Sequence, residues 1–154
     1  MGFRDETVLD KDGFFERKDK MDRETLAVER RNKGYNCAQA VLCTYCDLFG
    51  VDEKMAFIMS EGLGTGMGCT LATCGALSAA GMLAGMKCST ANLESPNSKG
   101  STYRITREIV KEFKEQAGAV RCRDLKGIET GKVLCECEDC VRIACRLIEK
   151  GVLK

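Results

Sequence analysis

The stretch TCGALSAAGMLAGM at 73–86 decides the fold. Ala76, Ala80 and Ala84 recur every four residues, and Gly81 and Gly85 form a second row at the same spacing. That period belongs to a helix, and side chains this small let neighbouring backbones approach closely. The spacing predicts a central Gly/Ala-rich helix pressed on by its neighbours, and such packing explains both rows. The stretch lies inside an uncharged run from 62 to 86, long enough to cross a membrane. Its crowding with Gly, Ala, Ser and Thr, and the alternating GLGTGMG at 62–68, speak instead for a flexible loop leading into a buried helix.

Helical patterns continue on both sides. Residues 22–32 read as a short charged helix stopped by Gly34, and residues 36–49 carry Ala38, Val41, Tyr45 and Leu48 on one face. Asn36 with Gln39 three residues on fits a capping box, and Gly50 ends that helix. Residues 52–61 form a short helix with Met55, Phe57, Ile58 and Met59. A polar loop at 89–100 holds the only proline, Pro96. Residues 101–117 are amphipathic, with Ile105, Ile109 and Phe113 four apart and Gly118 as the stop. Residues 122–127 read as a connector, and 139–150 as a last helix carrying Val141, Ala144, Leu147 and Ile148. No strand pattern of comparable length appears. The expected class is all-α, a compact bundle of about five or six helices. It forms a single helical cysteine-rich domain at 21–154, preceded by an N-terminal arm at 1–20.

Composition narrows the chemistry. The chain has 154 residues, a net charge of +1, 11 Cys and no His. The length suits one domain, and the balanced charge gives no case for nucleic acid. Without His there is no Ser-His-Asp triad, no HExxH zinc site and no His-ligated haem. The charged N-terminus lacks a signal-peptide core, and Glu6 stands where a myristoylation motif on Gly2 wants Ser or Thr. These features predict a cytoplasmic protein with no transmembrane segment. GLGTGMG lacks the glycine spacing of a dinucleotide site. It reads as an ordinary loop, or as a nest of N–H groups facing an anion.

The cysteines carry what is left. In the cytosol, many cysteines read as ligands or redox groups before structural disulfides, and an odd count cannot pair completely within one chain. Cys37 follows Asn36, Cys74 follows Thr73 and Cys140 follows Asp139, each at an expected helix start. There the unpaired N–H groups and the dipole favour thiolate over thiol. Cys122 lies between Arg121 and Arg123, whose charge acts the same way, while Asp139 opposes the shift at Cys140. Cys43 and Cys46 form a CxxC inside a helix and read as small buried hydrophobes. Cys135, Cys137 and Cys140 read as a solvated loop before the last helix, with a metal or redox role as the second reading. Cys69, Cys88 and Cys145 receive no assignment.

NCAQAVL at 36–42, CGALSAAG at 74–81, the Cys122 connector and CVRIA at 140–144 resemble the C_GCAxxG_C_C family of redox-active proteins. The similarity runs from Glu29 to Ile148. It implies four characteristic cysteines, falling on Cys37, Cys74, Cys122 and Cys140, and a redox role without a defined substrate. The chain departs from the pattern at Ala79, where the family has Gly. Some relatives resemble split-Soret cytochromes, but this chain has no CxxCH and no His for a haem.

Two functions compete. In the first, Cys74, Cys37, Cys122 and Cys140 form a redox site. They act by reversible thiol/disulfide exchange with Cys74 as nucleophile, or as ligands of an iron–sulfur cluster. Its partner would be a redox protein or a small thiol or disulfide. In the second, the same four hold zinc in a non-enzymatic interaction module. The small-residue rows and the methionines are compatible with a homodimer.

Overall fold

The computed structural model describes residues 23–154. The arm expected at 1–20, the Gly2 motif and Asp22 lie outside them. Among the described residues there are seven α-helices and no strand. They are α1 (Arg23–Lys33), α2 (Cys37–Tyr45), α3 (Glu53–Ser60), α4 (Gly75–Cys88), α5 (Lys99–Ala117), α6 (Cys122–Lys126) and α7 (Cys137–Gly151). The all-α bundle is as expected. The count rises because the expected connector at 122–127 closes one helical turn as α6. The last helix starts at Cys137, two residues before the expected Asp139.

The core is built on α2 and α4, which pack together. All nine residues of α2 are buried. A helix buried all round belongs inside a bundle, where its backbone bonds within itself, and its two buried polar side chains are satisfied, Gln39 donating to Phe57 O and Thr44 to Ala40 O. The N-terminal end is closed by the predicted capping box: Gln39 N–H donates to Asn36 Oδ1 at 2.9 Å, and Asn36 N–H to Gln39 Oε1 at 3.0 Å. α1, α5 and α7 surround the pair. α5 buries the predicted stripe of Ile109 and Phe113, and α7 buries Val141, Ala144, Leu147 and Ile148. The α1 end is tied down by Arg23, whose guanidinium forks onto Asp47 at 2.9 and 3.0 Å and lies 5.6 Å over the Tyr45 ring.

The two rows of α4 separate. Ala76, Ala80 and Ala84 are wholly buried. A Cβ at Gly81 would make an ordinary contact of 3.8 Å with Thr106 Cγ2, and a Cβ at Gly85 would meet nothing. Close packing therefore explains the alanine row and not the glycine row. Ala79, where the family pattern has Gly, sits in the core with its methyl fully enclosed. No helix among the described residues is long and apolar enough to cross a membrane.

The glycine-rich segment is wound rather than loose. Thr65, Gly66, Met67 and Gly68 have φ of 55, 59, 63 and 75°, four consecutive left-handed residues. L-residues such as Thr and Met occupy this region only when their surroundings impose it. The run keeps one hand, so it is not the alternating nest considered from sequence. It brings the backbone hard against its neighbours. A Cβ at Gly64 would fall 2.3 Å from Asn36 Cγ, and one at Gly66 would fall 2.6 Å from Cys122 Cβ.

Two antiparallel hydrogen bonds then join this segment to the start of α6. Cys74 N–H donates to Val120 O at 2.8 Å, and Cys122 N–H to Ala72 O at 2.9 Å. They flank an isolated bridge between Thr73 and Arg121. A further pair, from Leu134 and Cys135 N–H to Leu125 O, folds the next loop back over α6.

Substitution at these glycines separates tight from open positions. Gly66→Ala meets both a left-handed φ and the Cys122 contact, and is expected to destabilise by at least about 1–3 kcal/mol. Gly85→Ala is expected to stabilise by about 0.5–1 kcal/mol, the helix-propensity gain at an open site. Urea unfolding of both variants measures the contrast.

Candidate functional site

The two backbone bonds at 72–74 and 120–122 set Cys74 beside Cys122. Packing of α2 and α7 against α4 adds the rest. One cavity of about 180 Å³ is lined by six cysteines: Cys37, Cys74, Cys122, Cys135, Cys137 and Cys140. The structure thus brings all four sequence-predicted cysteines to one place. It adds Cys135 and Cys137, which sequence reasoning had placed in a solvated loop. Arg31 from α1 and Lys126 from α6 complete the charged lining. The remaining cysteines stand elsewhere. Cys43, Cys46 and Cys145 are buried in the helix core, Cys69 is exposed and Cys88 is half-buried.

Four cysteines sit at helix starts. Cys37, Cys122 and Cys137 are the first residues of α2, α6 and α7, and Cys74 is the N-cap of α4. Cys140, expected at a helix start, is the fourth residue of α7; Cys137 holds that position instead. Cys140 is the most enclosed of the predicted four, at 2% exposure against 5% for Cys74, 6% for Cys122 and 8% for Cys37. Cys135 and Cys137 are half-buried, so solvent reaches the cavity on their side.

The thiols interact in pairs. Cys37 interacts with Cys137, and Cys74 with Cys140. Cys135 lies beside Cys140, whose Sγ also approaches the Cys135 carbonyl at 3.9 Å. Within a close pair one sulfur keeps the proton and the other becomes the better anion. In the first pair the anion is Cys137. The Cys37 thiol donates to it, and the Arg31 guanidinium and the Lys126 charge add to that pull. Together they outweigh burial and lower its pKa to about 5. Cys37 is pushed up correspondingly, by Cys137 first and by burial second. In the second pair Cys74 is lowered, chiefly by the Cys140 thiol, with the amides of Leu77 and Ala76 helping against burial. Cys140 is raised by Cys74 and by burial.

Cys122 departs from expectation. Its pKa is raised, by burial first, and the cation that opposes the rise is Lys126. The flanking arginines do not act on it because carboxylates hold them. Arg121 forks onto Asp124 at 3.1 and 3.0 Å, and Arg123 pairs with Glu129 at 2.9 Å.

Six thiols in one cavity are donors suited to soft metals. Their arrangement is less suited. Among the described residues, no group of three or more Cys, Asp or Glu side chains is placed to hold a metal ion. What the geometry offers is two thiol–thiol contacts, each with one acidic and one proton-holding partner.

The order of reactivity follows from the thiol environments. Limited alkylation with iodoacetamide at pH 6 is expected to modify Cys137 first, because it is half-buried and ionised above about pH 5. Its labelling should fall as the pH drops through that value. Arg31→Gln is expected to slow the labelling at pH 6, read by peptide mass spectrometry.

The family model described as "Putative redox-active protein (C_GCAxxG_C_C)" matches residues 35–151. No curated protein and no solved structure matches the chain.

Proposed function

The chain belongs to the C_GCAxxG_C_C family, and from that premise we propose that it is a dithiol redox protein in which Cys137 is the attacking thiolate and Cys37 the resolving thiol. The observation that carries this reading is the Cys37–Cys137 contact. It joins an acidic, partly accessible sulfur to a buried sulfur that retains its proton, with the Arg31 charge acting on both. This displaces Cys74 from the lead role that sequence suggested. Cys74 is also acidic, but it is nearly closed to solvent and pairs inward with Cys140.

The oxidative half-reaction balances with the substrate disulfide alone, and a second thiol reductant returns the protein to its dithiol. The Cys137 thiolate attacks one sulfur of a substrate disulfide, forming a mixed disulfide and expelling the first thiolate product. Cys37 then attacks the Cys137 sulfur. A Cys37–Cys137 disulfide forms, the second product leaves as thiolate, and the Cys37 proton passes to a product. Two electrons move from protein to substrate. Arg31 keeps Cys137 ionised before attack and faces the charge as it leaves. Cys74, Cys140 and Cys122 form the inner wall, and the Cys74–Cys140 contact offers a second dithiol behind the first. All eleven cysteines are free, the state a reducing cytoplasm would maintain.

A cysteine-ligated iron–sulfur cluster remains the second reading, supported by the donor set, and zinc the third. Anaerobic purification separates them. The dithiol reading expects a colourless protein without stoichiometric metal. Mild oxidation should remove two thiols, and peptide mapping should find a Cys37–Cys137 disulfide. Brown protein with matching iron and sulfide would replace it with the cluster, and colourless protein with bound zinc would replace it with the zinc module. Cys37→Ser is expected to trap the mixed disulfide on Cys137, seen as an adduct in the intact mass.

A further inference from the structure

We infer that the thiol cavity selects small disulfides carrying negative charge, such as those bearing carboxylate groups. This rests on the dithiol reading and adds a substrate class to it. The basic residues around the site fall into two sets. Arg121 and Arg123 are neutralised by Asp124 and Glu129. Arg31 and Lys126, which line the cavity, form no ion pair with a carboxylate among the described residues, and the Nε of Arg31 is buried without a protein acceptor. No carboxylate lines the cavity; Asp139 bears on Cys135 from beside it. The other polar side chains of the lining are those of Tyr35, Asn36 and Thr65.

Charge in such a cleft is focused by its low-dielectric walls and raises the local concentration of the opposite sign. The anion that offsets Arg31 and Lys126 at rest is the cysteine thiolate. Attack consumes it, and an anionic substrate then supplies the missing charge throughout the exchange. Size acts in the same direction. A cavity of about 180 Å³, with Cys37 less than a tenth exposed behind a half-buried Cys137, favours a short-chain disulfide over one held in a folded protein surface. A short-chain disulfide can enter.

Three disulfides of similar length test this with the reduced full-length chain under anaerobic conditions. They are 3,3′-dithiodipropionate (anionic), bis(2-hydroxyethyl) disulfide (neutral) and cystamine (cationic). Each oxidation rate is divided by the rate of the same disulfide with free 2-mercaptoethanol, which removes intrinsic reactivity. At low salt the anionic compound is expected to lead the neutral one by about tenfold, with the cationic one slowest. Added salt should shrink the spread. Lys126→Gln should reduce the anionic-to-neutral ratio several-fold, and that ratio is insensitive to a shared change in thiolate content. Equal normalised rates, or a lead for the neutral or cationic compound, would overturn the inference and leave the dithiol reading standing. Failure of all three to form the Cys37–Cys137 disulfide would remove the dithiol reading itself.

Discussion

Two backbone hydrogen bonds, Cys74 N–H to Val120 O and Cys122 N–H to Ala72 O, hold the site together. They are the sole strand-like contact among the described residues, in a molecule otherwise made of helices. Helix packing can bring α2, α4 and α7 side by side, but it leaves the rotation and height of each helix end open. The bridge fixes the start of α4 against the start of α6. The left-handed run before it exists to make that approach, with Gly66 lying where any larger residue would strike Cys122. Backbone strain at Thr65 and Met67 is the local cost of bringing these remote cysteines together.

The helical frame was legible in the sequence because its signals are local. The capping box at Asn36, the stripe of α5 and its stop at Gly118 all depend on neighbours within one or two turns, and each appears where the pattern put it, whereas the helix expected to run to Gly50 ends at Tyr45 and continues as a 3-10 turn over Cys46–Phe49. The four family cysteines could be named from motifs, but their convergence could not, since it depends on contacts between residues 74 and 120. Cys137 was missed for a physical reason. The residue before it, Glu136, makes no side-chain cap bond, so the true start of α7 carries no sequence mark, while Asp139 offers a false one. Arg31 is one charge among several in the helix expected at 22–32, and nothing local singles it out. Only the packing of α1 beside α7 turns it toward sulfur.

The electrostatics of Cys122 teach a related lesson. Flanking arginines suggested an acidic thiol, yet proximity in sequence did not decide the outcome. Arg121 and Arg123 are satisfied by Asp124 and Glu129, carboxylates within the next eight residues. A cation that already has a partner spends little of its field on a neighbour. Lys126, four residues away and one helical turn along, is the cation that faces the sulfur.

The helix starts carry one more implication. α2, α4 and α7 all aim their N-terminal ends at the same small volume, so the positive poles of three dipoles oppose one another. Like poles repel, and the arrangement is comfortable only with negative charge between them. Thiolate is that counter-ion, built into the chain. On the proposed dithiol reading, oxidation to the Cys37–Cys137 disulfide would exchange an electrostatic clamp for a covalent one. The reduced and oxidised forms would then be held at this end of the bundle by different forces. Salt screens the first, whereas the second is indifferent to it.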